Sequence, residues 1–146
     1  MTKGTEIDAF PPLEQFMPHR PPMLLLDALV AHDEDEAVCE KTFTDRDPFV
    51  EHGVVSSFVA LELFAQAAAA HFGYAGLMSG GKAVSGALLG ARKIDLSRDT
   101  FAVGEKLTVR VKRVMTMPPM AQFECAVTDG RGNTLAAGTI NVAMGV

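Results

Sequence analysis

One acidic residue, Glu62, lies in an otherwise almost wholly apolar run from Phe58 to Phe72. A carboxyl among alanines and phenylalanines costs roughly several kcal/mol of desolvation unless it is paired or protonated. Low dielectric favours the neutral acid, which can donate a proton to a bound molecule. Glu62 is therefore predicted to be a catalytic acid. The alternative is a carboxyl that is satisfied by Gln66, one turn later, or by a backbone amide, with Gln66 in a supporting role.

Two histidines are candidates for a partner in proton transfer, because imidazole titrates near neutral pH. His19 lies in the proline-rich segment "MPHRPP", and His52 lies in the loop that leads to the apolar run. The alternatives are a histidine that orders the proline-rich turn and a solvated loop histidine, respectively. His32, beside an acidic turn, and His71, near the end of the apolar run, are predicted to be structural or exposed.

Length and composition limit the class of protein. The chain has 146 residues, 48% of them hydrophobic, and a formal net charge of −5, which predicts one domain with a sizeable core. The negative net charge and the lack of a basic stripe in the sequence argue against a nucleic-acid partner. The N-terminus lacks the features of a signal peptide, and no apolar run is long enough to span a bilayer. A cytoplasmic protein is therefore expected.

The cysteines show no metal-binding pattern. Cys39 and Cys125 are isolated, without a CxxC motif or the His/Cys spacing of a zinc site. They are predicted to be buried thiols, and no metal or other cofactor is predicted.

Hydrophobic periodicity predicts two strands, a long helix and then four strands. The helix is expected from Ser57 to Phe72, with Ser56 or Ser57 as N-cap and Gly73 or Gly76 at its end. Residues 1–22 are expected to form an arm with a short helical piece near residues 13–16. The strands are expected within residues 23–32, 36–43, 83–96, 105–117 and 121–144, the last of these ranges holding a hairpin. An antiparallel sheet around one buried helix satisfies this order and belongs to the α+β class.

Three stretches resemble the hotdog-fold 3-hydroxyacyl-(acyl carrier protein) dehydratases. They are "MPHRPPMLLLDAL" (17–29), "ALELFAQAAAA" (60–70) and "GALLGARKIDLSRDTFAVGEKLTVRVKRV" (86–114). The segment "HGVVSSFVALELFAQ" (52–66) is most similar to the dehydratase-like subunits of aryl-polyene lipid biosynthesis clusters. The resemblance implies a single hotdog domain over residues 1–146.

The resemblance also implies an activity, the dehydration of 3-hydroxyacyl thioesters of acyl carrier protein to trans-2-enoyl products. Glu62 would protonate the departing hydroxyl with His19 or His52 as its partner. Helix N-terminal amides near Ser57 and Phe58 would bind the developing enolate oxygen. 

A basic grouping that includes Arg92 and Lys93 would dock the acidic carrier protein, although a solvated sheet face is the alternative. The hotdog dehydratases pair edge to edge, so a homodimer or a heterodimer with a related hotdog subunit is expected.

One departure from the family pattern leaves alternatives open. The histidine that the family places fourteen residues before the helix glutamate is replaced by Pro48. This favours a non-catalytic subunit that binds acyl chains or the carrier protein and completes a sister chain's site. An acyl thioesterase on the same fold, in which Glu62 activates water, is the other alternative.

Overall fold

The computed structural model describes residues 10–81 and 86–144. Within these ranges a short 3-10 turn, Leu13–Gln15, confirms the helical piece predicted there, and a second 3-10 turn, Ser57–Val59, leads directly into the helix. The helix is α1 (Ala60–Met78). The strands are β1 (Ala28–His32), β2 (Glu36–Thr42), β3 (Val54–Ser56), β4 (Gly86–Leu96), β5 (Thr100–Ala102), β6 (Lys106–Met117), β7 (Met120–Thr128) and β8 (Thr134–Met144).

Six strands form one antiparallel sheet in the order β1-β2-β6-β7-β8-β4, and β3 pairs with β5 in a separate ribbon. The side chains of Leu107, Val109 and Val111 on β6 are buried, whereas Arg110 and Lys112 between them are exposed. This alternation gives the sheet one apolar face, which packs on α1. The predicted α+β arrangement, an antiparallel sheet around one long helix, is confirmed.

The helix is enclosed over most of its length, as its apolar composition predicts. Ser56 is the N-cap of the helical segment, and its hydroxyl accepts a hydrogen bond of 3.3 Å from the Phe58 N–H. The prediction that the helix ends at Gly73 or Gly76 is wrong, because α1 continues to Met78.

Gly73 serves close packing instead of helix termination. A Cβ at this position would overlap the backbone carbonyl oxygen of Phe16. The rings of Phe10 and Phe16 pack edge-on against Tyr74, with centroids 5.1 and 5.5 Å apart. The N-terminal segment, residues 10–27, is thereby held against the C-terminal half of the helix.

The first strand begins later than its apolar sequence predicts. The backbone N–H groups of Leu25 and Leu26 donate to the side-chain oxygen of Gln66, at 2.9 and 3.4 Å, instead of to a neighbouring strand. Strand geometry therefore starts only at Ala28. The β3–β5 ribbon was not predicted, because three residues are too few to show a period of two. In the predicted strand 83–96, residues 83–85 lie outside the described residues.

Both cysteines are buried and unpaired, as predicted. Burial raises the pKa of the Cys39 thiol to about 12 and raises the pKa of Cys125 as well. These thiols are therefore poor nucleophiles at neutral pH. No helix in residues 10–81 or 86–144 has the length and apolar character needed to cross a membrane.

Candidate functional site

Glu62 is half-buried in the first turn of α1. Its Oε2 accepts a hydrogen bond of 2.9 Å from the side-chain amide of Gln66. The two residues are four apart, so their side chains lie on the same face of the helix. Glu62 has no ion pair with any arginine, lysine or histidine among the described residues.

Gln66 is fully buried and connects Glu62 to the N-terminal segment. Its amide nitrogen also donates to the carbonyl oxygen of Met23 at 2.8 Å, and its oxygen accepts from Leu25 and Leu26. With both ends of its amide engaged, the side chain of Gln66 is fixed in one orientation. Gln66 therefore holds one oxygen of Glu62 in place.

A cavity of about 190 Å³ lies beside Glu62, and we call it the inner cavity. The N-terminal segment contributes His19 to its wall, and the helix contributes Glu62, Ala65, Ala68, Ala69 and Phe72. Strands β4 and β8 form the opposite wall. The inner cavity thus combines one carboxyl and one imidazole with an otherwise largely apolar lining, which is the composition of a small-molecule site.

A second hollow, of about 410 Å³, also borders Glu62, and we call it the outer hollow. It is lined by the start of the helical segment and by apolar side chains that include Met23, Phe49 and Phe58. Phe58 is 69% exposed. Glu62 is the residue common to the linings of the inner cavity and the outer hollow.

His19 is brought to Glu62 by the fold of the N-terminal segment. The guanidinium of Arg20 donates 2.7 Å hydrogen bonds to the carbonyl oxygens of Met17 and His19, which fixes the backbone at this point. The Nδ1 atom of His19 is buried and has no hydrogen-bond partner in the described parts of the chain.

The helix N-terminus offers fewer free amides than the sequence suggests. The Ser57 N–H donates to the carbonyl oxygen of Asp99 at 2.9 Å, so it is already engaged within the chain. Among the described residues, the Phe58 N–H is bound only by the Ser56 hydroxyl at 3.3 Å, which is long for a hydrogen bond. Of the two amides named from the sequence, that of Phe58 is the one that a bound oxygen could reach without breaking a backbone–backbone hydrogen bond.

His52 is not brought to Glu62 in the same way. It is exposed, has a positive φ of 55°, and lines neither the inner cavity nor the outer hollow. Pro48 is exposed in the same loop. The start of this loop is anchored by the buried Lys41, whose ammonium is 2.8 Å from a carboxylate oxygen of Asp47.

The basic grouping predicted for carrier docking is divided by the fold. Arg92 and Lys93 are exposed on the edge strand β4, where a register shift and a positive φ of 56° at Lys93 interrupt the strand. Arg92 lines a hollow with Met115, Met117 and Met120. Lys93 lines a different hollow, together with Arg110, Lys112 and two glutamates. Arg113 is turned away and donates to the Glu34 carbonyl oxygen.

His32 and His71 lie away from the site. His71 is buried, and the ring of His32 stacks on it with centroids 4.8 Å apart. The prediction that these two residues are structural or exposed agrees with this position. Phe72, in contrast, lines the inner cavity, and nothing distinguishes it in the sequence from its apolar neighbours.

Comparison with solved structures identifies the class of protein. The chain superposes on the dehydratase heterocomplex ApeI:P from Xenorhabdus doucetiae with a TM-score of 0.87 and 23% identity, covering 92% of this chain and 91% of that chain. The PaaI protein of the phenylacetic acid degradation operon of E. coli superposes with a TM-score of 0.62 and 18% identity, covering 80% of this chain and 77% of that chain. A hypothetical thioesterase protein with coenzyme A from Streptococcus pneumoniae superposes with a TM-score of 0.59 and 13% identity, covering 80% of this chain and 84% of that chain. The fold is that of the hotdog proteins, as the resemblance implied.

The family is shown by the sequence itself. The family model described as "ApeP-like: ApeP dehydratase" matches residues 11–145, so the chain belongs to the ApeP-like dehydratase family. Comparison with curated proteins found no match.

Proposed function

We propose that this protein dehydrates 3-hydroxyacyl thioesters carried by an acyl carrier protein and forms the trans-2-enoyl product. The observation that carries the proposal is the shared lining of the inner cavity. Glu62 and His19, 43 positions apart in the sequence, both border it in a member of a dehydratase family. A fatty-acid or aryl-polyene type of biosynthesis is the proposed context.

The reaction needs two proton transfers and one site for negative charge. In our proposal the imidazole of His19 removes the proton from Cα of the substrate. The thioester oxygen then carries the developing charge and accepts a hydrogen bond from the Phe58 N–H at the positive end of the helical segment. Glu62 gives its proton to the departing hydroxyl, the Cβ–O bond breaks, and water and the enoyl thioester leave.

Gln66 has a positioning role in this scheme. Its amide holds Oε2 of Glu62, which leaves the other carboxyl oxygen to face the substrate. Because Gln66 is tied to the backbone of residues 23–26, the acid and the segment that bears His19 are joined by one side chain. Such preorganisation keeps the reacting groups in place without cost at the moment of reaction.

A second hotdog subunit is part of the proposal. The inner cavity borders β4, which is the edge of the sheet and exposes Leu88 and Leu89. Pairing along this strand would extend the sheet into the second subunit and close the cavity from that side. Since ApeI:P is a heterocomplex, a heterodimer with a related subunit is our preferred assembly, with a homodimer as the alternative.

The carrier protein is proposed to dock near Arg92 and Lys93 by charge attraction.

A second candidate function follows from Pro48. Since this position lacks the histidine of the dehydratase pattern, the chain would instead bind the acyl group and contribute Glu62 to a site that the partner completes.

The test is the Glu62→Gln variant. Its turnover of a 3-hydroxyacyl thioester of the carrier protein is measured by mass spectrometry of the products. Glutamine can still accept the hydrogen bond of Gln66 but cannot act as an acid, so turnover should fall by about 100-fold or more with no change in unfolding temperature. Glu51→Gln is the matched control, because Glu51 is an exposed loop residue outside both hollows. Full activity of Glu62→Gln would exclude Glu62 as the acid, and release of free thiol by the wild type would indicate a thioesterase.

A further inference from the structure

The end of the β6–β7 hairpin carries a group of exposed methionines. Its sequence is "MTMPPM" (115–120), and Met115, Met117 and Met120 are 48%, 67% and 44% exposed. Methionine is among the residues most often buried in globular proteins, and neighbouring exposed apolar side chains generally mark a binding surface. We call these three residues the methionine cluster. A ligand of this surface must match the chemistry of three thioethers.

A shift in strand pairing brings the methionines of β6 to the outer face of the sheet. Between Arg113 and Met115 the register of β6 against β7 shifts by one residue, and such a bulge reverses the face on which the following side chains lie. Val109 and Val111, before the bulge, are buried against the helix side. Met115 and Met117, which continue the same odd-numbered alternation after the bulge, are exposed instead.

The hairpin places the third methionine beside these two. Met120 is the direct partner of Met117 across the hairpin, and the Cβ atoms of such a pair are about 4.5–5.5 Å apart. Met115 is the diagonal neighbour of Met120 on the same face, at about 7–8 Å. Each sulfur lies two bonds beyond Cβ on a flexible side chain, so the three sulfurs can meet at one point. The turn between the strands, Pro118–Pro119, restricts φ through its two rings and so limits movement of the hairpin end.

The methionine cluster borders a hollow of about 230 Å³ with few other ligand groups. Among the described residues, the lining is completed by Arg92, Ala121, Gln122 and Asn141. The side-chain amide of Gln122 donates to that of Asn141 at 3.1 Å, so these two groups partly satisfy each other. This described lining contains no carboxylate, imidazole or thiol. Calcium and magnesium, which take oxygen ligands, and zinc, which takes thiolate, imidazole or carboxylate ligands, are therefore a poor fit.

We propose that the methionine cluster binds one Cu(I) ion through its three thioether sulfurs. Thioethers are soft ligands, and soft ligands select Cu(I). They are also neutral, so a singly charged ion is favoured over a doubly charged one, the more so because the guanidinium of Arg92 borders the same hollow. Arg92 is exposed, so solvent and salt screen its repulsion of the ion. A thioether site needs no CxxC motif or His/Cys spacing, so it is compatible with the lack of a zinc pattern in the sequence.

The first experiment uses silver(I), a soft monovalent ion that is stable in air, as the probe. The full-length protein is labelled with ¹³C at its methionine ε-methyl groups and titrated with silver(I) while NMR spectra are recorded. We expect the three methyl signals of the methionine cluster to shift together and to saturate at one ion per chain, while the signals of the other methionines stay in place. Each of the three signals is assigned by its loss in Met115→Leu, Met117→Leu or Met120→Leu.

The second experiment measures the affinity for Cu(I) itself, by competition with the chelator bicinchoninate under anaerobic, reducing conditions. Each of the three substitutions should weaken Cu(I) binding by about tenfold or more, because even changes outside the ligand shell weaken metal sites by about 10- to 100-fold. Leucine has a similar volume and no sulfur, so the unfolding temperature should not change. Met78→Leu is the matched control, since Met78 is 61% exposed at the end of α1, outside the hollow, and should keep the wild-type affinity.

Several results would overturn the proposal. Methyl signals of the methionine cluster that do not move with silver(I) would do so, and this is also the result expected if silver(I) is bound only by the thiols of Cys39 and Cys125. An unchanged Cu(I) affinity in all three variants, or an equal loss in Met78→Leu, would contradict the assignment of the ligands. An equal response to zinc(II) would contradict the assignment to a soft ion. The inference goes beyond the proposed dehydration, because neither Glu62 nor His19 lines this hollow, so either proposal can fail without the other.

Discussion

At the scale of single residues, the site depends on how the half-buried carboxyl of Glu62 is kept in one orientation. Glu62 has one oxygen bound by Gln66 and the other without a protein partner in the described parts of the chain. Gln66 uses its remaining hydrogen-bonding capacity on the backbone of Met23, Leu25 and Leu26. The sequence leaves open whether Glu62 is a catalytic acid or a carboxyl that is satisfied by Gln66. The two interpretations are compatible, because a carboxyl that is held by Gln66 can also face a cavity.

Two substitutions, one at each candidate histidine, show which of the two takes part in proton transfer. In His19→Asn the proton acceptor at the inner cavity is lost, and we expect turnover to fall by about 100-fold or more. In His52→Asn we expect little change, because His52 is exposed and borders neither hollow. The rates are measured in the same carrier-bound dehydration assay. Full activity of both variants would contradict the assignment and would indicate that the partner subunit supplies the imidazole.

At the scale of elements, the helix is longer than its residues predict because a glycine within it serves packing. An isolated glycine near the end of an apolar run usually indicates a C-cap. Here the backbone of Phe16 crosses α1 at Gly73, and the close approach leaves no room for a side chain. The glycine therefore belongs to the contact that holds the N-terminal segment, with His19, against the helix.

Gly73→Ala should destabilise the fold although alanine is the better helix former. The new methyl would overlap the Phe16 carbonyl oxygen, which is backbone and cannot turn away. We expect a loss of about 1–3 kcal/mol in the free energy of unfolding, as for other overpacked positions, measured by urea denaturation. Gly90→Ala is the control, because a Cβ there would meet no atom within 4 Å. Equal stability of the two variants would contradict the predicted role of Gly73.

At the scale of the whole molecule, the buried side chain of His71 connects the helix to the β1–β2 turn, and Arg113 connects the same turn to the sheet. Nε2 of His71 is 3.2 and 3.0 Å from the carbonyl oxygens of Asp33 and Glu34, to which it donates. Arg113 on β6 donates to the same Glu34 oxygen at 2.9 Å. The Nδ1 atom of His71 is buried without a partner among the described residues, so the neutral ring fits this environment.

This cluster predicts a dependence of stability on pH. Burial, with smaller contributions from His32 and Arg113, lowers the pKa of His71 below its ordinary value of 6.5. Below that pH the unfolded chain binds a proton that the folded chain does not. Stability is therefore full above about pH 6.5 and falls, by up to about 1.4 kcal/mol per pH unit, until the folded-state pKa is reached.

The measurement is urea denaturation between about pH 5 and 8, where a carboxylate such as Asp33 stays ionised in both states. The pKa of Asp33 is lowered by the backbone N–H groups of Asp35 and Glu36. The contribution of Asp33 is therefore present above its unfolded-state pKa and is lost only at more acidic pH. His71→Gln should flatten the dependence between pH 5 and 8, whereas the exposed His52→Gln should retain it. An unchanged slope in His71→Gln would show that another group is responsible.

Much of the architecture follows from the sequence by itself. The alternation of β6, the cap at Ser56, the enclosed helix and the order of strands and helix along the chain are local patterns, which can be read from the spacing of apolar and capping residues. The same reasoning singled out Glu62, since a lone carboxyl in an apolar run is visible without any knowledge of its neighbours. Burial of both cysteines was likewise predictable.

Other features were decided only by the tertiary structure. The late start of β1, the passage of α1 beyond Gly73 and the engagement of the Ser57 amide by Asp99 each depend on a residue more than forty positions away. The tertiary structure likewise decides that His19, Glu62 and Phe72 line one cavity. A sequence records which groups are apolar or charged, but the space between distant segments exists only once those segments have packed together.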